Sequence, residues 1–117
     1  MKLGELAARI EATVVVPAGR LDAIIEHVWA GDHVSRLLDE STPVTLVVSR
    51  LAATSVIQSA ALLDAPAVCV SGGAAPSGEA ARLAESLDVA VLVAPHSLEE
   101  TRDRACEALG LSPGDGP

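Results

Sequence analysis

Three short apolar runs recur along the second half of the chain, and each is followed by a segment of helix length. The runs are VTLVVS (44–49), AVCVS (67–71) and VAVLVA (89–94). None alternates apolar with polar residues, so each reads as a strand covered on both faces. The segment after the first, Ala53 to Leu63, reads as a helix beginning near Thr54 or Ser55 and closed by Ala65-Pro66. It is apolar on most sides (Val56, Ile57, Ala60, Ala61, Leu62, Leu63), which predicts deeper burial than an ordinary surface helix. The second helix, about Ser77 to Leu87, sets Ala80, Leu83, Ala84 and Leu87 against Glu79, Arg82 and Glu85. The third opens on Ser97 and Glu100 as a capping box and stops at Gly110. Leu98, Thr101, Ala105 and Leu109 line its inner face, and Glu100 and Arg104 form an i, i+4 pair. Strands joined by helices of this length run parallel with right-handed crossovers. The predicted class is α/β: a single domain, mainly parallel β-sheet with helices packed on it, with a βαβαβα C-terminal half.

The first half is less regular. Leu3, Leu6, Ala7 and Ile10 share one face of a short helix. Thr13 to Val16 is β-branched and ends at Pro17, which reads as a short strand, and Ala18-Gly19-Arg20 as a turn. IIEHVW predicts a strand over about 24–30 at a sheet edge, with Ile25, His27 and Trp29 on one side and Ile24, Glu26 and Val28 on the other. Gly31-Asp32 breaks it. Val34, Leu37 and Leu38 predict a two-turn helix starting near Asp32 or His33 and ended by Ser41-Thr42-Pro43.

Composition narrows the function classes. A chain of 117 residues holds one domain, and half of its residues are apolar, enough for a single core. Trp29 is the only aromatic residue. A core of Ala, Val and Leu gains little area per residue, so burial at an oligomer interface would add to it. Sixteen acidic against eight basic residues give a net charge of −8, spread along the chain. That balance argues against nucleic acid and against an anionic membrane surface as partners. Cys69 sits in an apolar strand and Cys106 in a helix, as two reduced core thiols. No closely spaced Cys or His set suggests a metal site. MKLGELAARIEA lacks the apolar core of a signal peptide, and no segment approaches a membrane span. The expectation is a soluble cytoplasmic protein of bacterial type.

The order of elements, with ALLDAPAVCVSGG and VSRLL as its best-matching pieces, resembles the DRTGG domain over residues 1–110. Residues 111–117 read as a disordered tail. The naming motif of that family falls near Val28-Trp29-Ala30-Gly31-Asp32, where only Gly31 matches, and Arg36 stands where an acidic residue often precedes the Leu-Leu pair. The resemblance is therefore to a divergent member. It implies a fold similar to the N-terminal domain of HPr kinase/phosphorylase. Such domains occur alone, or attached to CBS-domain pairs in regulated pyrophosphatases, or attached to phosphate acetyltransferases. The resemblance implies a regulatory or dimer-forming module rather than an enzyme, with no cofactor.

In an open parallel sheet, ligands bind beyond the C-terminal ends of the strands. Those ends carry Arg50, Ser71, Gly72, Gly73, His96 and Ser97. The amides of Gly72 and Gly73, beside a helix N-terminus, would hold an anion, with Arg50 pairing to it. The plain alternative is that Gly-Gly only makes a tight strand-to-helix turn. GGAAPSG has neither the G-x-G-x-x-G spacing nor the Gly-Lys-Ser/Thr of a P-loop, and the one lysine is Lys2. No nucleophile elbow accompanies Ser71 and His96. Among the histidines, His27 and His33 read as surface or structural, and His96 is the functional candidate by location. Two functions follow. One is a non-catalytic regulatory or interaction module, a homodimer working with another protein, with Trp29 in the dimer interface. The other is a sensor that binds a nucleotide or other phosphorylated small molecule at the strand ends.

Overall fold

The computed structural model describes residues 1–31, 43–50 and 53–111. Five strands form one sheet: β1 (Thr13–Val16), β2 (His27–Ala30), β3 (Thr45–Ser49), β4 (Ala67–Val70) and β5 (Ala90–Val93). Their order is β1-β5-β4-β3-β2. Strands β2 to β5 are parallel neighbours, with Val47 registered between Trp29 and Val68. Strand β1 runs antiparallel to β5 and pairs Thr13 with Val93. β3 and β4 are buried at every position, which is what their unbroken apolar runs require of central strands covered on both sides.

Among the described residues four helices cover the sheet: α1 (Leu3–Arg9), α2 (Thr54–Leu62), α3 (Gly78–Ser86) and α4 (Leu98–Leu109). On one face α1 and α4 bury Leu3, Leu6, Ile10, Leu98, Ala105 and Cys106 against Leu46, Val48, Cys69 and Leu92. On the other, α2 and α3 bury Val56, Ile57, Ala60, Ala80 and Ala84 against Val47, Val68, Val70 and Val91. Alternate residues of each central strand therefore serve opposite cores, the two-residue period of a pleated strand. Helices α2 and α3 share a face, as two crossovers of one hand require when strands are added in one direction. Both cysteines are buried, and neither is in a disulfide.

Three expectations change. The strand expected over 24–30 starts only at His27. Ahead of it, the amides of Glu26 and His27 both donate to the Val44 carbonyl, at 2.8 and 3.1 Å, while the Ile25 amide donates to Met1. Two successive amides on one acceptor make a bulge-like step, which breaks the alternation. Ile25 and Val28 consequently face α1 and α4, and Trp29 alone turns to the α2 side. Trp29 itself is 4% exposed. Its ring is part of the core on the α2–α3 side of the sheet. Finally, α2 buries Val56, Ile57 and Ala60 but leaves Leu62 76% exposed. Nine residues make two and a half turns, so a helix lying on a sheet must point one apolar position outward when its sequence is apolar all round. The helix expected near Asp32–Ser41, with His33 and Arg36, lies outside the described residues, as does the tail from 112.

Candidate functional site

The topology brings the expected residues to one edge of the sheet. Arg50 follows β3, Ser71-Gly72-Gly73 follow β4, and His96-Ser97 follow β5. Once assembled there, they are already engaged by other groups of the chain.

Gly72 and Gly73 have φ of 81° and 77°, so this turn needs residues that tolerate the left-handed region. Nothing lies within 4 Å of a Cβ placed on Gly72, and only the Pro95 backbone, at 4.0 Å, meets one on Gly73. Freedom of φ accounts for the pair. Their amides are not free for an anion. The Gly72 N–H donates to the His96 carbonyl at 2.7 Å, and the Gly73 N–H donates to the Ala94 carbonyl at 2.8 Å. The β4–α3 turn spends both amides, expected to face an anion, on the end of β5. Ser71 is buried; its N–H and its hydroxyl both donate to the Ser49 carbonyl, at 2.9 and 3.4 Å.

Ser97 caps α4: its Oγ accepts the Glu100 N–H at 3.1 Å. Only that half of the expected capping box describes the geometry. The Glu100 carboxylate turns outward, 2.7 Å from His96 Nδ1 and 3.4 Å from Arg104 Nε. On the far side of the ring, His96 Nε2 is buried and lies 3.4 Å from Glu11 Oε1 without hydrogen-bond geometry. Arg104 Nη1 closes the group by donating to Glu11 at 2.8 Å. His96 thus sits between two carboxylates that one arginine bridges. Sequence reasoning missed Glu11, because only the antiparallel pairing of β1 carries the α1–β1 turn to the end of β5. Glu11 has φ 58°, a local signal visible only in the structure.

Arg50 is exposed and donates to Glu99 Oε1 at 3.0 Å. Of the six expected residues it alone presents a cation to solvent at this edge, and it does so with a carboxylate already beside it. Burial pushes the Cys69 thiol from 9.0 up to about 12, which keeps it protonated and unreactive. Among the described residues no cluster of three His, Cys, Asp or Glu side chains would hold a metal ion. No helix among them is long and apolar enough to cross a membrane. Among the described residues, two surface grooves lie away from this edge. One of about 390 Å³ runs between α2 and α3, lined by Thr54, Gln58, Glu79, Arg82, Leu83 and Ser86. Another of about 310 Å³ lies between α1 and α4, at Arg9, Arg104, Glu107 and Ala108.

No protein-family model matches the chain, and no curated protein matches it. Among solved structures it is similar to the CBS and DRTGG domains of the regulatory region of Clostridium perfringens pyrophosphatase, complexed with the activator diadenosine tetraphosphate. The TM-score is 0.75 at 17% identity, and the match covers 92% of this chain and 47% of that one. This chain therefore spans about half the length of that structure and shares its fold with that half. The α/β architecture expected from the resemblance is thus one that a DRTGG-containing regulatory region also holds.

Proposed function

We propose that this domain is a non-catalytic regulatory module, acting as a homodimer on or with another cytoplasmic protein. The observation that carries the reading is the self-satisfied strand-end edge. Where an open parallel sheet would place its ligand or its chemistry, the Gly72 and Gly73 amides, the Ser97 hydroxyl and the Arg50 guanidinium are all engaged within the chain. A fold shared with part of a regulatory region supports the same role. Sedimentation of the whole chain across micromolar concentrations tests it. A reversible monomer–dimer equilibrium is the expected result, and a monomer throughout removes the homodimer.

A second reading rests on Arg50 and on the nucleotide activator bound to the similar regulatory region. In it, a nucleotide phosphate displaces Glu99 from the exposed Arg50. Thermal-shift titration with diadenosine tetraphosphate, adenosine nucleotides and inorganic phosphate separates the two. Stabilisation that rises with nucleotide concentration and disappears in Arg50→Ala would replace the first reading with a sensor. A flat response to the whole panel leaves the interaction module.

A further inference from the structure

Helix α2, TSVIQSAAL, carries no charged residue, in a chain of net charge −8 whose other described helices all carry acids. Leu62, at its end, is 76% exposed, well above the 47% of Ile24, the next of the described large apolar side chains. Thr54, Gln58 and Leu62 stand at i, i+4 and i+8, so they form one ridge along α2. Thr54 and Gln58 of that ridge also line the groove of about 390 Å³ beside α3. Across the groove, Arg82 is flanked one turn away on either side by Glu79 and Glu85. Among the described residues none of the three is in an ion pair.

We propose that this face, the α2 ridge with the α2–α3 groove, is where a second copy of the chain docks. The inference rests on the homodimer reading and gives it a location. An isologous contact needs a surface that complements itself. Here a ridge lies beside a groove, so each copy's ridge enters the other's groove, as helices pack. Charge selects the same occupant. Two copies of net −8 repel, and they approach most easily where one helix is uncharged and the other offers an arginine between two acids. A basic partner would instead be drawn to the acid-rich face of α4, with Glu99, Glu100, Asp103 and Glu107. Arg82 of each copy then meets Glu79 or Glu85 of the other, and Leu62 loses its exposure. Two nine-residue helices, each about 14 Å long, cover only a few hundred Å² per copy, below the roughly 800 Å² per partner of a standard stable interface. The dimer is therefore weak and concentration-dependent.

The test is sedimentation velocity on the whole chain from about 5 to 500 μM, with helical circular dichroism to confirm that each variant is folded. Leu62→Lys and Arg82→Glu, both at exposed positions, should each raise the dissociation constant at least tenfold. Mixing Arg82→Glu with a Glu79→Arg, Glu85→Arg variant should restore association as a heterodimer. A wild-type dimer that neither substitution weakens, or an Arg82→Glu defect that the mixture leaves unrepaired, overturns this face and leaves the homodimer reading intact. A wild-type chain that stays monomeric to the top of the range overturns both.

Discussion

Gly31 is where the close packing of Trp29 can be tested most directly. A Cβ at position 31 would lie 3.1 Å from Trp29 Cη2 and 3.2 Å from Cζ2. Ordinary carbon contacts begin near 3.4 Å, so Gly31→Ala overlaps two ring atoms by a few tenths of an ångström. The ring is 4% exposed and packs in the α2–α3 core, so it has little room to move. Overpacking of this kind costs about 1–3 kcal/mol. Against it, replacing glycine narrows the unfolded ensemble and returns about 0.4–1 kcal/mol. The packing loss wins, and the net effect is destabilisation by about 1 kcal/mol. For 117 residues the unfolding entropy is about 0.25 kcal/mol/K, so Tm should fall by about 4 °C. The chain supplies its own reporter: Trp29 is the only aromatic residue, so intrinsic fluorescence reads this cluster alone. Thermal and urea unfolding of Gly31→Ala, followed by tryptophan emission, should give a lower midpoint with an unchanged urea slope. An unchanged or higher Tm would show that the ring accommodates a methyl group and would refute steric closeness as the reason for glycine at 31.

Other positions separate different causes. Gly72→Ala meets no atom within 4 Å but must hold φ 81°, so it should cost about 1 kcal/mol of conformational strain with no change in tryptophan emission; a loss of several kcal/mol in urea unfolding would mean the turn has a further role. Ser97→Ala removes the α4 cap and should cost about 1 kcal/mol, with Ser97→Asp recovering most of it; if the two variants melt alike, the Ser97–Glu100 bond contributes nothing. The Cys69 thiol is held neutral by burial, so in the unfolded chain it ionises near 9.0 and in the folded chain near 12. The unfolded state therefore binds fewer protons between those values. Stability from this group is intact below pH 9 and falls as pH rises from about 9 to 12, by at most about 1.4 kcal/mol per unit. Cys69→Ala should flatten that limb of a pH–stability profile measured by urea unfolding, and an unaltered limb would assign the alkaline loss to other groups.

The central sheet was legible because its residues leave few alternatives. VTLVVS, AVCVS and VAVLVA cannot be half-exposed strands, and the caps at Ser77 and Ser97 mark where α3 and α4 begin. What sequence could not reach depends on long-range pairing. Nothing in TVVV states that β1 will lie antiparallel on β5, because no crossover helix joins the two. The bulge-like step at Glu26–His27 depends on where the Val44 carbonyl falls, so the facing of Ile25 and Trp29 could not be read from alternation. At the candidate site, residue positions were legible and availability was not. Gly72 and Gly73 do lie at the end of β4, but a Gly-Gly pair has the same sequence whether its amides await an anion or already bond to Ala94 and His96. Glu100 fits a capping box and equally fits a partner for His96, and no local rule ranks the two.

The strand-end edge then decides how much a ligand could gain there. Antiparallel β1 delivers Glu11 to one side of His96, and α4 delivers Glu100 to the other, with Arg104 bridging both carboxylates. The His96 carbonyl in turn takes the Gly72 amide, which ties the β4–α3 turn to the same cluster. An anion entering this edge meets two obstacles of unequal size. The Arg50–Glu99 pair is exposed, worth about 0.2–1 kcal/mol, and yields easily. The Gly72 and Gly73 backbone bonds contribute about 0.5–1.5 kcal/mol each, and freeing them also separates β4 from the end of β5. A phosphate would thus recruit Arg50 without recruiting the amides, and a single exposed guanidinium screened by salt and already beside Glu99 binds weakly. Strong nucleotide binding at this edge would require the β4–α3 turn to open. Its signature would be faster hydrogen exchange at the Gly72 and Gly73 amides with nucleotide present, whereas a protein-binding role leaves both amides protected.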